Sequence, residues 1–172
     1  LGIESGSQRI LDYLKGGSVT VEQNRQAVRT LKKHGIRCTA GFIIGSPDET
    51  REEILTTLDF AKSLPLDNLY IFLLTPLPGT PVWEYALERG LVSEAMDWSI
   101  LRQEFGEVPD RAVILSERLA REELHGLYQA FVKHKSKLIA KSARREMLQR
   151  YAGISRRGLY YLGRHPLLFW PK

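Results

Sequence analysis

Three short segments carry the residue types that could do chemistry. Glu4-Ser5-Gly6-Ser7 sets one carboxylate and two hydroxyls around a glycine turn. Gly41-Phe42-Ile43-Ile44-Gly45 puts two glycines four apart at a strand end, with Pro47, Asp48 and Glu49 following. Thr75-Pro76-Leu77-Pro78-Gly79-Thr80-Pro81 closes a third apolar run. Together they suit a nucleoside ligand. Hydroxyls and a carboxylate hold a ribose or an amino group, and a glycine-bearing strand lets backbone N–H and C=O approach an adenine edge.

Each segment follows a stretch that reads as a strand and precedes one that reads as a helix. Ile3 ends a first strand, and Ile10, Leu11 and Leu14 give a helix over about 7–15, stopped by Gly16-Gly17. Thr20 and Gln23 form a capping box for a helix running to about His34. A second strand is expected over 37–44, with Ile36, Cys38, Ala40, Phe42 and Ile44 on one face. Thr50 and Glu53 cap the next helix, which runs to about Ser63. The third strand, 69–75, is nearly all apolar, as for a parallel strand covered on both faces. Thr80 caps a further helix with Pro81 at its first position. Strands alternating with helices predict parallel βαβ units, whose reactive face is the set of loops at the strand C-termini. Beyond Leu91 the pattern stops: a short helix is expected near Trp98, then one long helix from Ser116 to about Arg150. Because Leu1 falls at a strand end, the chain is expected to be the C-terminal part of a longer protein. As half a barrel, it should leave an apolar inner face and an open sheet edge, and fold poorly alone.

The net charge of +5 is unevenly spread. Eleven Lys/Arg and one acid, Glu146, lie between Lys133 and Lys172, so that segment carries +10 and the rest −5. The acidic body and the basic tail are therefore read as different units, and the end of the βα pattern divides the chain into a domain of residues 1–92 and a helical extension of residues 93–172. Cys38, the single cysteine, excludes a disulfide framework and any cysteine-built metal site within this segment; it reads as a small buried hydrophobe. This points to the cytoplasm. His34 reads as a helix-end group, and His125, His134 and His165 lack metal-ligand spacing, so no metal ligand is expected here.

In order and spacing, Gly2-Ile3-Glu4-Ser5-Gly6-Ser7, then Lys32-Lys33-His34-Gly35-Ile36 before Gly41 to Thr50, then Leu74 to Pro81, resemble the second half of the radical S-adenosylmethionine (SAM) enzymes. The resemblance covers about residues 1–92. It implies an α/β fold, the second half of a partial (β/α)6 TIM-type barrel with a helical, basic C-terminal extension. By the same resemblance, Glu4, Ser5 and Ser7 fall where the family contacts the ribose or methionine end of SAM. Gly41, Ile43 and Gly45 match the strand whose backbone packs against adenine, and Leu74 and Thr75 fall beside it. The family places an acid three residues after the second glycine; Asp48 stands there and Glu49 follows. The Cys-x-x-x-Cys-x-x-Cys loop that binds the family's [4Fe–4S] cluster is absent from this segment. The resemblance thus implies a fragment that supplies part of the SAM site but not the cluster ligands, from an enzyme that cleaves SAM to a 5′-deoxyadenosyl radical.

Within the family, the pattern is most similar to the branch with an upstream cobalamin-binding domain. This implies methylation or ring rearrangement at an unactivated carbon of a small-molecule or lipid-like substrate. A tRNA methylthiotransferase relative, or a non-catalytic half-barrel binding module, are the alternatives. Ser5 and Ser7 also read as plain turn and cap residues. Leu159, Tyr160, Tyr161 and Leu167 to Trp170 among arginines read either as a solvated face or as a segment touching a membrane surface or a partner. Nucleic acid is not an expected partner.

Overall fold

The computed structural model describes residues 1–105 and 112–164, the last thirteen of these as backbone only. The order is β1 (Gly2–Glu4), α1 (Gln8–Lys15), α2 (Val21–Lys33), β2 (Thr39–Ile44), α3 (Arg51–Ser63), β3 (Asn68–Leu73), α4 (Pro81–Glu88), a 3-10 turn (Trp98–Ile100) and α5 (Arg121–Arg164). The three strands form one parallel sheet with β2 in the middle. β2 and β3 pair in register from Thr39–Asn68 to Ile44–Leu73. β1 meets β2 at Gly2–Gly41 and Glu4–Phe42, with an irregularity between them.

The local rules account for most boundaries. Thr20 accepts from the Gln23 N–H and Thr50 from the Glu53 N–H, each in a reciprocal capping box. Gly16 ends α1 in the left-handed region, where glycine has no Cβ penalty. Pro81 opens α4 behind the Thr80 cap. Replacing Thr50 by Ala is expected to lower stability by about 1 kcal/mol, read as a shift in urea midpoint with unchanged slope; an unmoved midpoint would show that the box contributes nothing.

Ile3, Ala40, Phe42, Ile44, Leu69, Ile71 and Leu73 form the buried face of the sheet. Val28 of α2, Ile54, Leu58 and Phe60 of α3 and Leu124, Leu127, Tyr128 and Phe131 of α5 join them in one core. Phe42 and Phe131 touch at 6.2 Å between ring centroids. Residues on both sides of position 92 therefore share that core. A smaller apolar cluster, with Trp83, Ala86, Val92, Val113 and Leu115, sits beside it; there Trp83 stacks on Trp98 at 5.7 Å.

Several expectations need correcting. β2 begins at Thr39, and Ile36 is 49% exposed, because Gly35 has already turned the chain out of α2. β3 is not covered on both faces: Leu69, Ile71 and Leu73 are buried, while Tyr70 is exposed and stacks on half-buried Phe72. The edge of β3 is partly covered, since the Leu73 N–H donates to the Gln103 carbonyl at 2.7 Å. α5 starts at Arg121, because the Ser116 hydroxyl accepts from the Arg118 and Leu119 N–H groups in a turn ahead of the helix. Its backbone runs on to Arg164. The side chains of Leu159, Tyr160 and Tyr161, and all of His165 and Leu167 to Trp170, lie outside the described residues.

Candidate functional site

The ends of the three strands meet at one cleft. It encloses about 570 Å³ and is lined by Glu4, Tyr13, Leu14, Lys15, Ile43, Leu74, Pro81 and Val82. Glu4 comes from the end of β1, Ile43 from β2 and Leu74 from just past β3, so three residues expected at a ligand lie on one wall. Their convergence follows from the parallel register, which brings successive strand ends to the same side of the sheet.

Glu4 is the strained residue of the site. It is the one non-glycine among the described residues with positive φ, at 64°, a conformation that an ordinary L-residue adopts at a cost of roughly 1–3 kcal/mol. Its side chain folds back over Gly2, where an added Cβ would collide with Glu4 Oε1. Lys15, at the end of α1, donates to the Gly2 carbonyl at 3.0 Å and lies 3.2 Å from Glu4 Oε1. The cleft thus joins apolar walls, from Ile43, Leu74 and Val82, to one carboxylate–ammonium pair. Sequence reasoning missed Lys15 and Gly2; an isolated lysine in a helix's last turn reads as a dipole partner, and only the fold returns it to the strand end.

The other expected residues lie elsewhere. Ser5 is fully buried and its hydroxyl shares a hydrogen bond with Thr57 Oγ1 at 2.9 Å. Ser5 Oγ also accepts from the Ser7 N–H, while the Ser7 hydroxyl donates to Glu53 Oε1 at 3.0 Å. Both hydroxyls therefore fasten the β1–α1 turn to α3. Arg9 braces the same place, donating to Glu53 at 2.8 Å, and its guanidinium holds the Glu53 carboxyl down to about 2.

The Gly41 N–H donates to the Leu1 carbonyl at 2.8 Å. Gly45 has φ 85°, and a Cβ there would meet Leu124 of α5 at 3.1 Å. What approaches Gly45 closely is therefore a helix side chain. The Thr75 hydroxyl donates to the Leu73 carbonyl at 3.1 Å or the Arg102 carbonyl at 3.0 Å.

Of the two acids in the β2 loop, Glu49 is the one that turns inward. It is fully buried, and its Oε2 accepts from the Gly45 and Ser46 N–H groups at 2.7 and 3.1 Å. Glu49 Oε1 and the Ser46 hydroxyl are buried without partners. Desolvation pushes the Glu49 carboxyl up to about 7, against the pull of the two backbone N–H groups. Asp48 is exposed instead, and the Arg118 guanidinium, 2.7 Å away, draws its carboxyl below the usual range. Burial distinguishes the two neighbours, and adjacency in sequence carries no such signal.

Among the described residues no group of three or more His, Cys, Asp or Glu could hold a metal ion. Cys38 is buried near the opposite, N-terminal end of β2. The residues present do not fit an iron–sulfur cluster. They do fit the organic part of a nucleoside ligand: an apolar wall for a planar base and a carboxylate for hydroxyl or ammonium groups.

Residues 1–61 match the radical SAM superfamily. A protein of Pyrococcus horikoshii named an uncharacterized methyltransferase is 47% identical over 97 residues, which make up 56% of this chain and 21% of that protein. The tRNA-2-methylthio-N(6)-dimethylallyladenosine synthase of Shewanella baltica is 36% identical over 83 residues, 47% of this chain and 17% of that enzyme. The chain spans about a fifth of the length of these curated relatives. The stretch that is similar to the radical SAM superfamily, residues 1–61, runs from β1 into α3 and includes Glu4, Ile43 and Gly45.

Proposed function

We propose that this chain is the C-terminal part of the SAM-binding barrel of a radical SAM enzyme, and that the cleft at its strand ends receives SAM. The observation that carries this reading is the convergence of Glu4, Ile43 and Leu74, from three successive strands, on one cleft. SAM and a [4Fe–4S] cluster held by cysteines outside these residues would supply the one-electron chemistry. This chain's residues would bind and orient. Ile43 and Leu74 offer flat apolar contact to adenine, and Glu4 accepts hydrogen bonds from ribose hydroxyls or the ammonium. Lys15 keeps the Glu4 carboxylate aimed and balances its charge when no ligand is present.

The test is SAM affinity in the complete polypeptide with its cluster assembled. Replacing Glu4 by Gln is expected to weaken SAM binding roughly tenfold, as expected for losing a hydrogen bond to a charged group, with the melting temperature nearly unchanged. Equal affinity in the variant would remove Glu4 from the SAM site.

The reaction within this reading is methyl transfer or ring rearrangement at an unactivated carbon, assisted by cobalamin held in an upstream domain. The name of the Pyrococcus relative supports the methyl-transfer part. The substrate would be a small molecule of lipid-like or tetrapyrrole character. A second reading, methylthio transfer to tRNA, draws on the name of the Shewanella relative. The coding sequence upstream of Leu1 separates them. A Cys-x-x-x-Cys-x-x-Cys motif preceded by a cobalamin domain supports methyl transfer, and a motif without such a domain removes cobalamin. A start codon directly before Leu1 would instead leave a non-catalytic binding module.

A further inference from the structure

The long helix α5 has two different halves. Up to Leu138 it packs on the sheet and α3, with Leu124, Leu127, Tyr128 and Phe131 in the core. From Ile139 to Tyr151 every residue is exposed but half-buried Ser142. Leu138, Ser142, Arg145 and Gln149 line the groove toward the starts of β2 and β3, which defines the inward side. Ile139, Ala143, Met147 and Tyr151 follow one another at intervals of four. At about 100° per residue this row lies roughly 150° around the helix from the inward side. Ile139, Met147 and Tyr151 are 48%, 52% and 66% exposed.

Charge surrounds that row. By the same geometry Lys137, Arg144 and Arg150 stand within about 100° of its centre. Among the described residues none of the three has an ion-pair partner. The segment's one acid, Glu146, is engaged by Arg37. An outward apolar row flanked by free cations, with the neighbouring acid already paired to Arg37, suits a surface that is both apolar and anionic.

We propose that the outer face of the distal half of α5 lies in the headgroup layer of an anionic lipid bilayer, with the helix parallel to the surface. Phosphodiester groups meet Lys137, Arg144 and Arg150, while Ile139, Met147 and Tyr151 reach the acyl boundary. A nucleic acid would satisfy the cations and leave the aliphatic row in water, so lipid is the better match. The helix does not cross the membrane: no helix among the described residues is long and apolar enough.

The test is flotation of the complete polypeptide with phosphatidylcholine vesicles, with and without phosphatidylserine, at physiological salt. Binding is expected only with phosphatidylserine. Met147→Glu with Tyr151→Glu, and separately Arg144→Gln with Arg150→Gln, should each weaken it roughly tenfold or more. All four positions are exposed, and circular dichroism should show an unchanged fold. Tyr151→Trp should blue-shift its emission on anionic vesicles. Failure to float with anionic vesicles overturns the proposal. So does binding that survives the glutamate pair and is competed away by RNA, which would make the face a polyanion site. Flotation without any blue shift would place the membrane contact elsewhere and overturn it as well.

Discussion

Replacing Gly6 by Ala is expected to destabilise the fold by about 3 kcal/mol, at the upper end of the range for overpacking, and to lower the melting temperature by roughly 10 °C. An added Cβ would stand 2.6 Å from Phe60 Cβ, 2.9 Å from Thr57 Cα and 3.0 Å from the Thr56 carbonyl oxygen. Two of these are backbone atoms of α3, so no rotamer change relieves the clash. Nor can α3 move away easily, because Ile54, Leu58, Phe60 and Ala61 anchor it in the core. The Gly6 N–H also donates to Thr57 Oγ1 at 3.0 Å, and any separation weakens that bond and the Ser5–Thr57 contact beside it. Gly41→Ala is the control. Its Cβ would meet Phe72 at 3.7 Å, an ordinary contact, and stability should change little. Paired urea titrations decide the matter: a Gly6 variant as stable as the Gly41 variant would mean that the turn does not rest on α3. Since the same turn delivers Glu4 to the cleft, the Gly6 variant should also weaken ligand binding at temperatures where it remains folded.

The parts legible in the sequence were those governed by neighbours in the chain. Thr20 with Gln23 and Thr50 with Glu53 announce helix starts because each box closes within four residues. Alternation also placed Cys38, Ala40, Phe42 and Ile44 on the buried face of β2. The errors came where a distant element decides. An apolar run cannot show that Tyr70 is left on the open face of the sheet while Lys135 of α5 covers its ring at 4.6 Å. The same limit governs the candidate site. Glu4, Ile43 and Leu74 could be placed together because they end consecutive parallel strands. Ser5 and Ser7 look identical in type to ligand-binding hydroxyls, yet Thr57 and Glu53, some fifty residues away in sequence, engage them. A hydroxyl's partner is a tertiary fact. Lys15 is the converse case, an unremarkable helix-end cation that the turn returns to the carboxylate eleven residues before it.

Glu49 and Glu53 should give the stability of this fold two limbs of opposite sign against pH. In the folded chain Glu49 titrates near 7, against an ordinary value of 4.5. Between those values the folded chain holds a proton that the unfolded chain has released, so stability falls as pH rises from about 4.5 to about 7 and is flat beyond. An offset of that size corresponds to roughly 3 kcal/mol, as an order of magnitude. Glu53 runs the other way: held down to about 2 by Arg9, it adds stability above its ordinary value that is lost as pH falls from 4.5 toward 2. A maximum near pH 4.5 to 5 follows, about two units below the usual optimum for a globular domain. Glu49→Gln should abolish the upper limb, because the amide oxygen can accept from the Gly45 and Ser46 N–H groups without carrying charge. Glu53→Gln should shrink the lower limb, to which Asp48, Asp67 and Glu117 also contribute, and leave the upper one. Urea midpoints of the three proteins between about pH 2 and 8 test both signs. A wild-type midpoint that rises from pH 5 to 7 would mean that Glu49 is ionised throughout, with a counter-charge or ordered water meeting Oε1 in solution. With the expected fall, the carboxyl at the end of β2 carries a proton for part of its time at neutral pH. For that part of the time the carboxyl behind Gly45, beside a Ser46 hydroxyl that is likewise buried without a partner, carries no negative charge.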